Sequence, residues 1–580
     1  MRQSSPTALG QPPSAQSIAV VGAGPGGIAA AMQLAAAGAR VTIYEAQPVV
    51  GGRSRRIELG PYGFDCGPTF FMMPWVLEEI LGACGTTMSD LAELVRLDPM
   101  YRLVLGRPGA APIELDTTQD IAAMRTRIEA ISASDGPAFD RFIRDNRRKL
   151  ERLTPVLRSP VRSLADLMSF DGMRAGSSLR PWRSVAQELE RRFTHPQVRL
   201  ALSFQTKYLG MSPYECPELF TILPFIEYEY GVWHPKGGCN ALFSAMAEHC
   251  RSMGVAIETA SPVERILFEG RRAVGVVVHG EARRHDHVVV NADAAWALKN
   301  LVPEALRTAP EAGRRRAERW LGPLAGPLGL AHPAGVEGDA EIDARPASCS
   351  TFMLYLGLHG EVDLPHHTIF TSPSYEENLA DISKRGVLSD DPSMYCCNPS
   401  RSDPTLAPPG DAALYVLVPV PNAAPGHCKI NWTAEAPRFR ERVLDQLDRV
   451  FGLRGVRGRI RQERMATPLD WQSERINHGA TFNLAHGFSQ MLHRRPQHKL
   501  PTFEGLWLVG GGTHPGSGLP VIFLSSTTTT RLLCEEAGLR HPMDEGAPSV
   551  RYARPRDAHL RKLSADSGAP VASVPGVDAG

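Results

Sequence analysis

A chain of 580 residues is longer than one ordinary hydrophobic core supports, and about two to four domains are expected from length alone. Its 63 Lys and Arg balance 62 Asp and Glu for a net charge of +1, which leaves no basic excess to displace counterions from a phosphate backbone and argues against nucleic acid as a partner. With 43% apolar and 22% charged residues, the composition is that of a globular chain and not of a disordered one.

The two long charge-free stretches run from Gln3 to Ala39 and from Gly505 to Thr530, each long enough to raise the question of a membrane span. Gly, Pro, Ser and Thr punctuate both, which argues against a span. The first sixteen residues carry no apolar run and do not read as a signal peptide; residues 1–16 are expected to form a disordered tail. Ten scattered cysteines include no C-x-x-C pair, and only Cys396 and Cys397 are adjacent, so a zinc ribbon or dithiol redox motif is not expected and a reducing compartment is.

From Ser17 the chain reads SIAVVGAGPGGIAAAMQLAAAGARVTIYEA. Ile18, Val20 and Val21 predict a buried strand, Gly22, Gly24 and Gly27 fit G-x-G-x-x-G, an Ala-rich helix follows, and a second strand through Val41 and Ile43 ends at Glu45. In such a unit the first glycine makes the tight turn, the second admits a pyrophosphate and the third lets helix and strand pack closely. The helix N-terminus then meets the phosphates, and the terminal acid takes the ribose hydroxyls. Gly51, Gly52 and Arg53 come just after that acid, a second close-approach glycine pair with a cation. Strand, glycines, helix, strand, acid and this Gly-Gly-Arg segment together resemble the flavoprotein amine-oxidase and carotenoid-desaturase superfamily, in which the segment runs beside the pyrophosphate and flavin of FAD.

Farther along, two apolar runs, Phe70 to Trp75 and Leu219 to Phe225, are candidates for a substrate tunnel or for an exposed patch that docks on a bilayer, with plain core packing as the alternative. Tyr230 to Gly238 leads into a helix, and strands are expected at 255–257, 274–278 and 288–291. The run from Leu321 to Ala347 reads as an extra loop, and His366 and His367 read as strand or loop residues. Near the end, Leu506 to Val509 predict a strand. Gly510, Gly511 and Gly512 follow, then Thr513-His514-Pro515-Gly516-Ser517-Gly518-Leu519-Pro520, with a helix from about Val521 to Gly538 and a disordered tail over 538–580.

G-x-G-T-H-P-G-x-G-L-P after a strand is similar to the C-terminal signature of bacterial and fungal phytoene desaturases, and the likeness extends from about Ile18 to Ala537. It implies an α/β fold: a discontinuous Rossmann-type, amine-oxidase-like FAD-binding domain from 17–102, 226–299 and 461–537, with an inserted α+β substrate domain from 103–225 and 300–460. For FAD it implies contacts from Gly22, Gly24, Gly27, Glu45, Gly52, Arg53, Gly510, Gly512 and Gly518, with the Val263 backbone against the adenine. It implies desaturation of a long isoprenoid such as phytoene, hydride passing to the flavin with loss of a proton, and quinone or oxygen as the final acceptor. His514 and Asp166 are candidates for polar help in catalysis. A C30 carotenoid desaturase is the alternative substrate reading, an amine oxidase the nearest enzymatic rival, and a non-catalytic flavin-bearing lipid-binding protein the alternative of another class. The expected location is the cytoplasm, peripheral on the inner face of the cell membrane.

Overall fold

The computed structural model describes residues 15–162, 164–180, 182–308 and 337–544. Residues 1–14, 309–336 and 545–580 lie outside that description, and with them most of the expected N-terminal tail, the greater part of the 321–347 loop and the expected C-terminal tail beyond residue 544.

Five strands form an all-parallel sheet in the order Leu506–Leu508, His287–Val290, Ser17–Val21, Arg40–Tyr44, Ala256–Glu258. The strand Ser17–Val21 sits at the centre and is buried along its whole length, which is why its sequence is a continuous apolar run without alternation. Segments from the beginning, middle and end of the chain therefore share one sheet. Helix Pro25–Ala36 packs against helix Leu519–Ala537, the Ala-rich face of the first allowing close approach. The polar run Ser525 to Thr530 is buried but satisfied: Thr529 Oγ1 donates to the Leu508 carbonyl at 2.8 Å, Thr530 Oγ1 to the Ser526 carbonyl at 2.9 Å, and Gln33 Nε2 to Ser526 Oγ at 2.9 Å. The second charge-free stretch is thus an interior strand, a glycine turn and the start of an interior helix, and among the described residues no helix is long and apolar enough to cross a membrane.

A seven-stranded mixed sheet runs Ile460–Ala466, Ser350–Leu358, Ala412–Val420, Met394–Cys397, His367–Thr371, Arg102–Arg107, Ala110–Asp116. One face packs on helix Trp432–Phe451 through Phe352, Leu354, Val416 and Phe439. The other presents Met353, Tyr355, Cys397 and Tyr415 to the hairpin formed by Arg56–Leu59 and Tyr62–Asp65. The boundary expected at residue 461 falls within the edge strand of this sheet, because Ile460–Ala466 pairs with Ser350–Leu358 from Met353↔Ala466 to Leu358↔Ile460. A helical lobe from about 121 to 230 completes the fold, its long helix Asp135–Leu157 buried along Phe139, Phe142, Leu150 and Leu153.

Order persists past the expected C-terminal limit. Residues 538–544 fold back on the last helix, with His541 Nε2 3.0 Å from Thr530 Oγ1 and the Leu539 amide donating to the Cys534 carbonyl at 2.8 Å.

Candidate functional site

The first glycine turn is built as its spacing requires. Gly22 has φ +100°, a conformation that favours glycine, and its amide donates to the Tyr44 carbonyl at 2.8 Å. A Cβ on Gly27 would run into the Gly22 carbonyl oxygen, so glycine here is a condition of helix and strand touching. Gly24 precedes Pro25 at the start of the helix, where proline loses no hydrogen bond.

Glu45 is 5% exposed and buttresses this turn: its Oε2 accepts from the Ala23 amide at 2.7 Å and its Oε1 from the Gln47 amide at 2.8 Å. Burial pushes the Glu45 carboxyl upward, and the amide donors oppose that shift. Each carboxylate oxygen has a further lone pair for a ribose hydroxyl. Ser261 donates from its amide to the Glu45 carbonyl at 2.8 Å, which lays the segment leading to Val263 alongside the acid; Val263 is 5% exposed and opens the strand Val263–Glu269.

The Gly51-Gly52-Arg53 turn folds back on the first loop. The Gly51 amide donates to the Ala23 carbonyl at 2.8 Å, and a Cβ on Gly52 would stand 3.3 Å from the Gly24 Cα. Arg53 reaches across to the C-terminal third: Nη1 donates to the Thr481 carbonyl and Nη2 to Asn483 Oδ1, both at 2.7 Å, with Asp293 Oδ2 3.6 Å away. Among the described residues its partners join the Gly-Gly-Arg loop to the segment around Thr481 and Asn483 and to Asp293.

The third glycine turn closes on the same centre. Gly510, φ +108°, leaves no room for a Cβ beside Asn291 Oδ1, Gly511 none beside Asn483 Nδ2 and Gly512 none beside Ala294 Cβ. Gly518, φ +112°, caps helix Leu519–Ala537, which begins two residues earlier than expected, at Leu519. The three turns thus converge around Asn291, Asp293 and Asn483, a set of close-approach backbones and polar side chains that fits the pyrophosphate and ring edge of FAD. Sequence reasoning passed over these residues. For Asp293 a signal existed: an Asp after a valine run is a helix cap, and its Oδ1 accepts from the Trp296 amide at 3.0 Å. Arg495 was also missed. It is fully buried, donates to the Gly511 carbonyl at 2.7 Å and the Thr513 carbonyl at 3.3 Å, and burial brings it down to about 9.

His514 and Asp166 lie in different elements. His514 is 1% exposed, edge-on to His498 at 5.8 Å, and burial brings it down to about 4, which makes it a neutral and weakly basic ring at physiological pH. Asp166 lies in the outer helical lobe, in the short helix Leu164–Leu167, where its Oδ2 accepts from the Arg162 amide at 2.8 Å.

The run from Phe70 to Trp75 is interior, not an exposed patch: Phe71 and Trp75 are 1% and 7% exposed. The run from Leu219 to Phe225 likewise packs into the helical lobe, Phe225 being fully buried. Phe70 stacks on His367 with centroids 4.1 Å apart and planes 11° apart, and Tyr101, Tyr208 and Tyr395 surround it at 5.3–6.0 Å. The segment leading to this aromatic cluster starts at the Gly-Gly-Arg turn: a Cβ on Gly67 would stand 2.6 Å from the Arg53 carbonyl oxygen, three residues before Phe70. Behind it Glu227 is buried, accepting from Tyr101 Oη at 2.7 Å and Gln205 Nε2 at 3.0 Å; burial pushes its carboxyl up to about 7.

Comparison with known proteins agrees with this geometry. The pattern of the flavin containing amine oxidoreductases matches residues 25–325. A 4,4'-diapophytoene desaturase (4,4'-diapolycopene-forming) from Methylomonas sp is 38% identical over 90% of this chain and 96% of its own length. A lycopene-forming phytoene desaturase from Pseudescherichia vulneris is 31% identical over 89% and 99%. The crystal structure of an oxidoreductase from Methanosarcina mazei shares the fold, with TM-score 0.57 at 16% identity over 89% of this chain and all of that one.

Glycine turns on a parallel sheet, with the matching family pattern, define a flavin-dependent oxidoreductase of the amine-oxidase fold, with FAD as its cofactor. Within that class the chain belongs to the carotenoid desaturase family.

Proposed function

We propose that this chain desaturates a long acyclic isoprenoid hydrocarbon of the phytoene type, one saturated carbon–carbon bond at a time. FAD supplies the hydride acceptor. The chain's own residues hold the cofactor through the three glycine turns, and the wall around Phe70, Tyr101, Tyr208 and Tyr395 aligns an apolar substrate and excludes water. The observation that carries the reading is this wall's position, three residues from the Arg53 contact and rich in aromatic surface, which suits a hydrocarbon that offers no polar handle. The cation left by hydride removal is allylic and delocalised, so proton loss needs no strong base, in keeping with the weak basicity of His514. The cofactor and substrate portions are proposed to divide near the expected limits, with Ile460–Ala466 assigned to the substrate sheet.

A C30 substrate is the second reading, favoured by the 38% identical relative named for diapophytoene. Reoxidation by quinone or oxygen, and residence on the cytoplasmic face of the cell membrane, belong to the same proposal. Four large apolar side chains support the membrane contact: Met168, Phe170, Met173 and Trp182 are 73%, 75%, 59% and 71% exposed, beside the exposed Arg174 and Arg180.

The experiment is anaerobic mixing of the FAD-loaded protein with phytoene or diapophytoene in liposomes, followed by pigment extraction. Bleaching of the oxidised flavin with new double bonds in phytoene is the expected result. Turnover of diapophytoene alone selects the C30 reading, and an unbleached flavin with both substrates overturns desaturation in favour of a non-catalytic lipid-binding flavoprotein.

A further inference from the structure

His366 and His367 open a strand of the mixed sheet, and Cys397 on the neighbouring antiparallel strand is the register partner of His367. All three are buried, at 4%, 0% and 1% exposure. One ligand atom from each lies within 4.8 Å of the other two. Both ring nitrogens of His366 and Nε2 of His367 have no hydrogen-bond partner, a costly state for buried imidazole nitrogens. The remaining nitrogen of His367 is fixed: Nδ1 lies 2.7 Å from Tyr395 Oη, which lies 2.6 Å from Thr69 Oγ1. That chain fixes the ring, as an outer hydrogen bond orients a metal-bound imidazole. A small cavity lined by Thr69, His234, His366 and Cys397 adjoins it.

We propose that His366, His367 and Cys397 bind a zinc ion that ties the strand His367–Thr371 to the strand Met394–Cys397. Two imidazoles and a thiolate are borderline-soft donors suited to zinc, whereas magnesium and calcium take oxygen ligands. With Zn–N bonds of about 2.0–2.1 Å and a Zn–S bond of about 2.3 Å, tetrahedral ligand atoms stand roughly 3.3–3.6 Å apart. Closing the cluster from within 4.8 Å to that spacing takes side-chain movement on binding. Binding replaces the S–H bond of Cys397 with an S–Zn bond, the proton leaves to solvent, and nothing is oxidised or reduced. Since Phe70 stacks on His367, the ion would stiffen the aromatic wall at a point separate from the glycine turns.

The test uses the full-length FAD-loaded protein after chelator treatment. Zinc is quantified by elemental analysis, and Co2+ is titrated while following the long-wavelength d–d bands, which oxidised flavin does not mask. Stoichiometric metal is expected, with X-ray absorption giving a sulfur scatterer at about 2.3 Å. Cys397→Ala and His366→Gln should each weaken binding at least about tenfold, and Tyr395→Phe about 10–100-fold. Cys396→Ala, which removes the adjacent buried thiol from the opposite face, should bind as the parent does. Failure of the parent protein to take up zinc or cobalt overturns the proposal whatever the variants do. So does binding unchanged in Cys397→Ala, or uptake of copper(I) alone.

Discussion

Arg53 and Asn483 are 430 residues apart in sequence, and the guanidinium Nη2 donates to the Asn483 side-chain oxygen at 2.7 Å. With the bond to the Thr481 carbonyl, this ties the Gly-Gly-Arg turn to the C-terminal segment at two points. Arg53→Ala should purify with at least about tenfold less FAD per chain, read from the flavin-to-protein absorbance ratio. Arg53→Lys should recover little of it, because an ammonium on a flexible stem does not reproduce a planar fork that spans two acceptors. Full flavin content in both variants would show the clamp to be dispensable.

Gly27→Ala places a methyl group against the Gly22 carbonyl oxygen inside a packed helix–strand contact. Overpacking of this kind typically costs about 1–3 kcal/mol. The expected outcome is a lower thermal midpoint together with poor FAD retention, since the displaced carbonyl belongs to the phosphate-facing turn. Gly38→Ala is the comparison: its φ is +89°, but nothing lies within 4 Å of an added Cβ, so it should lose a little stability and keep its flavin.

Much of this centre was readable because its rules are local. Gly22, Gly24, Gly27 and Glu45 occupy one strand–turn–helix–strand unit read from spacing, and Gly510 to Gly518 form a second turn whose part in the site the family resemblance suggested. Arg53 was readable as a cation but not as a clamp, since its partners come from the far end of the chain. Arg495 and Glu227 were invisible for the same reason: a charged residue in sequence reads as solvated unless the fold reveals what buries it. The run from Phe70 to Trp75 shows the converse, because apolar composition does not distinguish a core from an exposed patch.

Glu227 gives the protein a pH dependence with a definite sign. Its folded carboxyl titrates at about 7, against about 4.3 in an unfolded chain. The folded state therefore holds a proton that the unfolded state releases, and its contribution is complete below about pH 4.3 and lost as pH rises to about 7. Glu227→Gln keeps the shape and an acceptor for Tyr101 without the charge. It should be more stable than the parent at pH 8, by up to roughly 3 kcal/mol, with little difference at about pH 4. Denaturant midpoints at the two pH values read this directly, and parallel pH profiles for the two proteins would refute it.

The outer helical lobe carries the final prediction. Phe170 and Met173 stand three residues apart on the helix Phe170–Gly176, so they neighbour each other on its surface while Gly172 and Ala175 pack inward. Leaving such side chains in water is unfavourable by about 25 cal/mol per Å2 of apolar surface, and inserting them among acyl chains recovers that energy. The nearby Arg174 and Arg180 would add attraction to anionic headgroups, and this part should weaken with salt. Phe170→Ser combined with Trp182→Ser should abolish co-sedimentation with anionic liposomes and slow turnover of liposome-borne substrate, while flavin content and thermal midpoint stay as in the parent. Neutral liposomes should bind the parent more weakly than anionic ones. A double variant that sediments like the parent would move the docking surface elsewhere on the molecule.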